Sequence, residues 1–481
     1  MQHNNFNNYN LSDNILSALK AMKYTTPTKV QEEVMPLLLE DMDVVVKSRT
    51  GSGKTAAFAV PICEKLVWEE NKPQALVLAP TRELAVQIGE VFFNIGRNKR
   101  IKTGLLYGRS SFDMQRKLIK QKTHVVVATP GRLLDHIERG TVDLSNIKYL
   151  IIDEADEMFH MGFLVQVESI INSLPKDRVT AMFSATFPRE IEALKEKYMN
   201  NACFIEISAE NQQHTHIKEY GYECTKNEKM GLLKDILITE NPDSAIIFCN
   251  TKDEVQSLYM SLINEGYHCD KISGDMEQRQ RLQVMEDFKR GYFRYLIATD
   301  IAARGIDVAH ITHVINYDIP EDKEKYVHRI GRTGRADSYG KSISLITPDS
   351  KLYVKAIESY IDRKIPIEVR PEAQKVEEAK PAFMEKMPTR MQLDNKVDSA
   401  INEGIMKIHI NAGKKTKMRA VDIVGTLCNI EGMTAEDIGI INILDVSTFV
   451  EIMNGKGEHV LEVLQTKPIK GRLRRVSRAD M

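Results

Sequence analysis

Residues 43–55 read Asp-Val-Val-Val-Lys-Ser-Arg-Thr-Gly-Ser-Gly-Lys-Thr, and this segment contains the strongest indication of the fold. It begins with a β-branched apolar run, which is typical of a strand buried on both faces of a parallel sheet. Gly51 and Gly53 then permit a tight loop whose backbone N–H groups can turn inward around phosphate. The residues after Thr55 continue as a helix, whose N-terminus carries a partial positive charge. The order of strand, loop and helix predicts a phosphate-binding loop in an α/β domain.

The loop residues have separate predicted tasks. Lys54 is expected to reach the β- and γ-phosphates of ATP, and Thr55 to hold Mg²⁺. The strict pattern begins with glycine, whereas this loop begins with Ser48, and a glycine-rich turn that matches by chance is the alternative. The residues predicted to contact ATP here are Ser48, Arg49, Thr50, Gly51, Ser52, Gly53, Lys54 and Thr55.

A second apolar run, Tyr149–Ile152, ends in the acidic pair Asp153 and Glu154. Ligands of open α/β sheets bind at the carboxyl ends of strands. Asp153 is therefore predicted to bind Mg²⁺ through water, and Glu154 to position and deprotonate the attacking water. A solvated acidic turn is the alternative for this pair.

Cations that stabilise the transferring phosphoryl group are predicted from residues 328–335, which contain Arg332 and Arg335. These arginines lie in a second half of the chain, so hydrolysis should require closure of two domains. A basic surface loop is the alternative.

The alternation of apolar strands with helices occurs twice along the chain. This repetition predicts two tandem doubly wound parallel-sheet domains, over residues 1–206 and 207–370. Residues 371–403 contain three prolines and many charges, and are predicted to be a linker with some helix. Residues 404–481 follow a β-α-β-β-α-β pattern, typical of a ferredoxin-like α+β domain, a plan shared with RNA-recognition domains (RRM-like). The predicted strands are Asp43–Val46, Ala75–Leu78, Val125–Ala128, Tyr149–Ile152, Ser244–Phe248, Tyr295–Ile297, His313–Ile315, Lys341–Leu345, Met406–Ile410, Ile438–Leu444, Thr448–Ile452 and Arg472–Ser477.

Composition restricts the cellular setting. The six cysteines form no C-x-x-C pair and no zinc spacing, and the polar N-terminus lacks a signal-peptide pattern. No apolar run approaches the length of a membrane span. We therefore expect a cytoplasmic, monomeric protein without membrane partners. A formal net charge of −1 means that any nucleic acid must bind to local basic surfaces.

Taken together, these motifs resemble the DEAD-box RNA helicases over residues 6–370. The resemblance implies two RecA-like domains that use ATP and Mg²⁺ to act on RNA. It implies that Tyr24 stacks on adenine while Gln31 hydrogen-bonds its edge, with Phe6 beside them, and that Asp307 binds the ribose. The implied RNA contacts are Arg82, Thr129, Gly131, Arg132, Gln278, Arg281 and Thr299. The implied residues that couple hydrolysis to unwinding are Asp156, Ser184, Ala185, Thr186 and His328.

The sequence departs from the family pattern at Gly108-Arg109, where the family has paired glycines, and at Ser273, a position often held by histidine. The first departure suggests that the RNA path differs near Arg109. Neither position belongs to the predicted ATP chemistry.

Two basic clusters mark the C-terminal domain, at residues 414–419 and 467–481. Phe449 is the only aromatic residue of the domain, so recognition of a folded RNA through charge and shape is expected rather than stacking of single-stranded bases. The segments 418–422 and 435–439 resemble the bacterial DbpA subgroup, which implies a hairpin of 23S ribosomal RNA and a pre-50S particle as targets. The predicted contacts are Lys407, Lys415, Arg419, Arg472, Arg474 and Arg475.

Four functions remain open from the residues alone. The first is an RNA-stimulated ATPase that unwinds short duplexes, and the second is a nucleotide-dependent RNA clamp that does not separate strands. The third is an ATPase that acts on DNA. In the fourth, residues 404–481 are a protein-docking or dimerisation module.

Overall fold

The computed structural model describes residues 5–48, 51–207, 217–300, 311–334, 339–387 and 404–479. Four predicted site residues lie outside these ranges: Arg49, Thr50, Asp307 and Arg335. The side chain of Gln278 also lies outside the description. The described residues form two parallel sheets and one antiparallel sheet, which confirms the predicted fold class.

The first domain surrounds a parallel sheet with strand order β3-β4-β2-β5-β6-β1-β7. Its strands are β1 (Val44–Lys47), β2 (Ala75–Leu78), β3 (Thr103–Leu106), β4 (Val125–Ala128), β5 (Tyr149–Ile152), β6 (Val179–Ser184) and β7 (Cys203–Glu206). Its helices are α1 (Asp13–Ala21), α2 (Lys29–Leu39), α3 (Lys54–Lys65), α4 (Arg82–Gly96), α5 (Phe112–Ile119), α6 (Pro130–Glu138), α7 (Ala155–His160), α8 (Leu164–Ser173) and α9 (Arg189–Tyr198). Apolar clusters cover both faces, which is why the strands are almost wholly apolar.

The second domain repeats this plan with strand order β10-β11-β9-β12-β13-β8-β14. Its strands are β8 (Ile217–Glu223), β9 (Ala245–Phe248), β10 (Cys269–Ile272), β11 (Tyr295–Ala298), β12 (His313–Asn316), β13 (Gly340–Ile346) and β14 (Ile367–Glu368). Its helices are α10 (Lys229–Glu240), α11 (Lys252–Asn264), α12 (Gln278–Lys289), α13 (Lys323–Ile330) and α14 (Lys351–Ile361). The predicted strands of both domains are present, with ends shifted by no more than one residue.

The first part of the segment predicted to be a linker is a helix, α15 (Ala373–Lys386). It packs on the second domain through Phe383, which is buried with its ring centroid 5.5 Å from that of Tyr267. The chain therefore stays attached to the second domain as far as Lys386. Residues 388–403 lie outside the described ranges.

The third domain is a four-stranded antiparallel sheet with strand order β16-β17-β15-β18. Its elements are β15 (Met406–Ile410), α16 (Ala420–Cys428), β16 (Ile438–Ile443), β17 (Thr448–Ile452), α17 (Gly457–Leu464) and β18 (Val476–Arg478). The last strand was predicted too early, over Arg472–Ser477. Residues 472–475 precede the strand because Ile469 and Arg472 pair with each other in a tight bridge, which leaves only the end of the segment to pair with β15.

Strand order in the first sheet divides its carboxyl edge into two halves. Strands β5, β6 and β1 are neighbours, and they carry the predicted ATP and coupling residues at their ends. Strands β3, β4 and β2 are the other neighbours, and they lead into the predicted RNA contacts. Parallel strands present all their carboxyl ends at one edge, so this order alone places the two groups side by side.

Candidate active site

The phosphate loop is fixed from the side by the N-terminus of α2. The Thr28 hydroxyl donates to the carbonyl of Ser52 at 2.9 Å, and the Gln31 amide donates to the carbonyl of Gly53 at 3.1 Å. Gly53 has a φ of +91°, in the left-handed region that favours glycine. A Cβ atom there would lie 2.7 Å from the Gln31 amide nitrogen, so both backbone and packing require glycine.

The predicted adenine-reading residues lie next to this loop. The oxygen of the Gln31 side chain accepts from the backbone N–H of Thr28 at 2.9 Å. A glutamine amide offers two N–H groups and two lone pairs, so it can still read a base edge after these two bonds. Phe6 is buried and Tyr24 is half-buried, and both pack on the core that also contains α2. Their contacts with adenine stay a prediction.

Lys54 begins α3, and its ammonium group donates to the carbonyl of Ser48 at 3.3 Å. The side chain is only 7% exposed, so it points into the site rather than into solvent. The backbone N–H of Ser48 donates to the carbonyl of Ser184 at 2.9 Å, which ties the loop to the end of β6. Thr55 follows in the first turn of α3.

The two predicted acidic residues are both buried at the end of β5. Burial raises the pKa of Asp153, and the charge of Lys54 opposes this rise. Burial also raises the pKa of Glu154, and the charge of Arg332 from the second domain opposes it. A buried carboxylate with a raised pKa suits proton abstraction from water. Glu154 has a φ of 49°, a strained conformation typical of functional sites.

The predicted coupling residues form one hydrogen-bonded unit. One carboxylate oxygen of Asp156 accepts from the backbone N–H of Ala185 at 3.1 Å, and from the N–H and hydroxyl of Thr186 at 2.8 and 3.0 Å. The Ser184 hydroxyl donates to the carbonyl of Thr186 at 2.6 Å. Any shift of this segment is therefore transmitted to Asp156, two residues from Glu154.

The two parallel-sheet domains meet at a shared cavity. Lys54 and Glu154 line it from the first domain, and Arg332 lines it from the second. Beside them, Nδ1 of His328 lies 2.8 Å from a carboxylate oxygen of Glu157, across the domain boundary. The structure thus brings the predicted phosphate, acid and arginine residues together, although Arg335 lies outside the described ranges.

Arg329 is a buried site residue that the sequence analysis did not assign. It is 1% exposed and its Nη2 donates to Asp300 at 2.8 Å and to Asn250 at 2.9 Å. These partners follow β11 and β9, so Arg329 joins three segments of the second domain beneath the cavity. Its position near Arg332 in the same basic motif is the sequence feature from which a role at the site could have been predicted.

Four arginines from the two parallel-sheet domains, here called the arginine cluster, lie close to one another. Burial lowers the pKa of the Arg82 guanidinium, against the opposing charge of Glu83. Three further guanidinium groups lie close enough to lower that pKa as well, those of Arg109, Arg281 and Arg132. Repelling cations held together in this way form a surface suited to phosphate groups. Arg109, noted above only as a departure from the family pattern, is therefore a candidate RNA contact that sequence reasoning missed.

Three other predicted RNA contacts, Thr129, Gly131 and Thr299, lie at or near the ends of strands, and Arg281 lies at the boundary of the two domains. Thr129 is the N-cap of α6, and Gly131 has open space around it, so the first-turn N–H groups can meet a phosphate. Arg281 pairs with Glu83 across the two domains at 3.1 Å. Thr299 is half-buried directly after β11.

In the third domain the structure joins the two basic clusters. Asp422 accepts from Arg419 at 3.1 Å and from Lys470 at 2.8 Å, and these charges hold the pKa of its carboxyl well below the usual range. The predicted contacts that are exposed here are Lys415, Arg419, Arg472 and Arg475, while Arg474 is half-buried. Lys407 lies on the sheet instead, with its ammonium 5.6 Å from the ring centroid of Phe449.

Known proteins match the whole chain. The ATP-dependent RNA helicase DbpA of Bacillus subtilis is 52% identical over 475 residues, which are 99% of each chain. Residues 28–194 match the DEAD/DEAH box helicase family, and residues 228–337 match the helicase conserved C-terminal domain. The chain belongs to the DEAD-box helicase family. Residues 407–478 match the DbpA RNA binding domain, which confirms the predicted subgroup.

Other DEAD-box proteins match the two parallel-sheet domains. The DEAD-box ATP-dependent RNA helicase CshA of Bacillus subtilis is 40% identical over 360 residues, which are 75% of this chain and 73% of that one. The structure of S. cerevisiae Dbp5 bound to RNA and ADP BeF3 is similar with a TM-score of 0.72 and 32% identity, over 79% of this chain and 99% of that chain. The DEAD-box chain described here is thus an ATP-dependent RNA helicase with an RNA-binding third domain. Its described helices include none long and apolar enough to cross a membrane.

Proposed function

We propose that this helicase separates short RNA duplexes locally, by closing its two parallel-sheet domains over ATP and RNA, and that its third domain directs it to a hairpin of 23S ribosomal RNA. The observation that carries the first part is the cavity shared by Lys54, Glu154 and Arg332. Because Arg332 belongs to the second domain, hydrolysis becomes fast only when the domains close.

We assign the chemistry as follows. Lys54 binds the β- and γ-phosphates, Glu154 takes the proton of the attacking water, and Arg332 together with Arg335 stabilises the charge on the transferring group. Tyr24, Gln31 and Phe6 bind adenine, and Asp307 binds the ribose. The remaining loop residues bind the phosphates through their backbone.

The Mg²⁺ site is proposed at Thr55 and Asp153. Mg²⁺ is usually held by one or two carboxylates together with substrate phosphates, and Asp153 is a buried carboxylate beside the phosphate loop. When bound, Mg²⁺ would neutralise charge on the β- and γ-phosphates.

The RNA is proposed to cross the arginine cluster of both domains. We assign backbone contacts to Arg82, Thr129, Gly131, Arg132, Gln278, Arg281 and Thr299. Asp156, Ser184, Ala185, Thr186 and His328 would couple closure to hydrolysis, because their hydrogen bonds connect the ATP half of the sheet edge to the second domain.

The ribosomal target rests on the third domain. Its match to the DbpA RNA binding domain and the joined basic clusters around Asp422 support recognition of a folded RNA in a pre-50S particle. Lys407, Lys415, Arg419, Arg472, Arg474 and Arg475 are the proposed contacts. We further propose a cytoplasmic monomer with domains at 1–206, 207–370 and 404–481, joined by the segment 371–403.

Turnover of ATP against a panel of RNAs tests the target. Hairpins from 23S ribosomal RNA should stimulate turnover at lower concentration than hairpins of equal length and scrambled sequence. Deleting residues 404–481 should remove this preference and leave stimulation by high concentrations of any RNA. Equal half-saturation by all hairpins would exclude the proposed target, and equal stimulation by DNA would exclude RNA specificity.

A nucleotide-dependent RNA clamp is the second candidate, favoured by the Arg281–Glu83 pair that joins the domains beside the proposed RNA path. A strand-displacement assay separates the two candidates. ATP-dependent loss of a short duplex supports the helicase mode, whereas stable binding without duplex loss supports the clamp.

A further inference from the structure

Two segments of opposite charge face each other across the first and third domains. Residues 97–122, here called the basic edge, contain nine lysine and arginine residues and one aspartate. Residues 431–455, here called the acidic face, contain five carboxylates and no lysine, arginine or histidine. The basic edge runs from the end of α4 through the edge strand β3 and α5, and the acidic face includes β16 and β17. The overall net charge of the chain conceals this separation.

A buried ion pair lies at the centre of the contact. Nη2 of Arg97 lies 3.1 Å from one carboxylate oxygen of Glu451, and Nε of Arg97 donates to the other at 3.3 Å. The two side chains are only 5% and 8% exposed. A bidentate pair of this kind is specific in geometry, and removal of either partner would leave the other charge buried.

Three further cations of the basic edge contact the acidic face around this pair. Lys102 donates to the carbonyl of Ile441, and Arg100 donates to the carbonyl of Ala435. Lys117 pairs with Asp445 at 3.0 Å. Burial lowers the pKa of Lys102 to about 8, as expected for an ammonium group enclosed between two domains. The contact is therefore polar and charged rather than apolar.

We propose that the basic edge is a binding surface for the RNA backbone, and that the acidic face of the third domain docks on it as an electrostatic cover. The carboxylates of Glu451 and Asp445 and two backbone carbonyls of the acidic face occupy the positions that RNA phosphates would otherwise take. In the docked state RNA is confined to the arginine cluster and to the exposed basic residues of the third domain.

The location of the basic edge supports its proposed role as a binding surface for the RNA backbone. Arg97 and Lys102, which are docked, precede strand β3, and Arg109, which belongs to the arginine cluster, follows it. RNA bound at the cluster could thus extend along β3 only if the third domain moved away. Docking limits non-specific RNA binding, because each covered cation is one phosphate contact fewer.

The Arg97→Glu variant of the full chain tests the proposal. Two buried carboxylates would then face each other, so the third domain should undock. Amide hydrogen exchange over residues 97–106 and 438–452 should rise at least about ten-fold, since removing one partner of a buried pair is strongly destabilising. Exchange over β2 and β15 should stay slow, which shows that both domains remain folded.

Binding of polyuridine, measured without nucleotide, gives the second readout. Arg97→Glu removes positive charge from the basic edge, yet the proposal predicts tighter binding with a steeper salt dependence. Each newly exposed phosphate contact adds about 0.7 to the slope of log K against log salt, so two or more contacts should add at least about 1.4. The Arg97→Glu/Glu451→Arg double variant should redock and return both readouts toward the unmodified chain. Lys197→Glu, a matched charge change at the exposed pair with Glu168, should alter neither.

Two results would overturn the proposal. Unchanged exchange of both segments in Arg97→Glu would mean that the domains are not docked in solution. Faster amide exchange without a steeper salt dependence of polyuridine binding would mean that docking covers no RNA-binding surface. Neither result depends on ATP turnover or on the ribosomal target, so the proposed function is tested separately.

Discussion

The pair between His328 and Glu157 predicts that closure of the two parallel-sheet domains depends on pH. Burial by itself would lower the pKa of His328, but the hydrogen bond and charge of Glu157, together with the charges of Asp156 and Glu154, outweigh it and raise that pKa. A closed state that binds a proton more tightly than the open state is favoured by protonation. The contribution of His328 to closure should thus be complete below its ordinary pKa of 6.5 and should be lost as pH rises through the raised value.

The magnitude follows from the geometry. The two side chains are 17% and 7% exposed, and the contact is a charge-assisted hydrogen bond of 2.8 Å. Bonds of this kind contribute about 1.5–3 kcal/mol. Because about 1.4 kcal/mol is ten-fold in an equilibrium constant, His328→Ala should weaken closure roughly ten- to a hundred-fold.

Fluorescence energy transfer between dyes on the two domains, with a non-hydrolysable ATP analogue and RNA, measures closure apart from hydrolysis. The unmodified chain should close less readily as pH rises above 6.5, and His328→Ala should show a lower and flatter profile. His160→Ala is the matched control, because the contact of His160 with Glu324 is longer, at 3.8 Å, and more exposed. Parallel pH profiles for the unmodified chain and His328→Ala would show that protonation of His328 does not favour closure.

Four further predictions concern the ATP site. Lys54→Ala should abolish ATP turnover and weaken nucleotide binding, measured by calorimetry. Glu154→Gln should retain binding of ATP and RNA but slow hydrolysis by about 10²–10⁴-fold. Because burial raises the pKa of Glu154, the acidic limb of the pH–rate profile of the unmodified chain should lie above the usual carboxylate range. This limb should be missing in the variant. Asp156→Asn should lose about 1.5–3 kcal/mol of charge-assisted bonding to Ala185 and Thr186 and should reduce strand displacement more than ATP turnover. Gly53→Ala should weaken ATP affinity because of its positive φ and the Gln31 contact, whereas Gly131→Ala, in open space, should leave ATP affinity unchanged.

Local sequence patterns predicted most of the secondary structure, because apolar runs, glycines and capping residues act over a few positions. They were less informative at residues 472–475, where a tight bridge between Ile469 and Arg472 shortens the last strand. The segment predicted to be a linker with some helix does contain a helix, α15, but its packing through Phe383 into the core of the second domain was not predicted. Contacts of this kind depend on distant partners and leave no local periodicity.

The α/β fold, the phosphate loop and the acidic pair could be predicted from the amino-acid sequence, since strand, loop and helix chemistry fix these within short segments. The residues that meet across domains become known from the packing of the whole chain: Glu154 with Arg332, Glu157 with His328, and Arg97 with Glu451. The effect of a charged side chain depends on its partners and on its burial. When the two residues of a pair are more than 150 positions apart in the chain, they become partners and become buried only when the domains pack together.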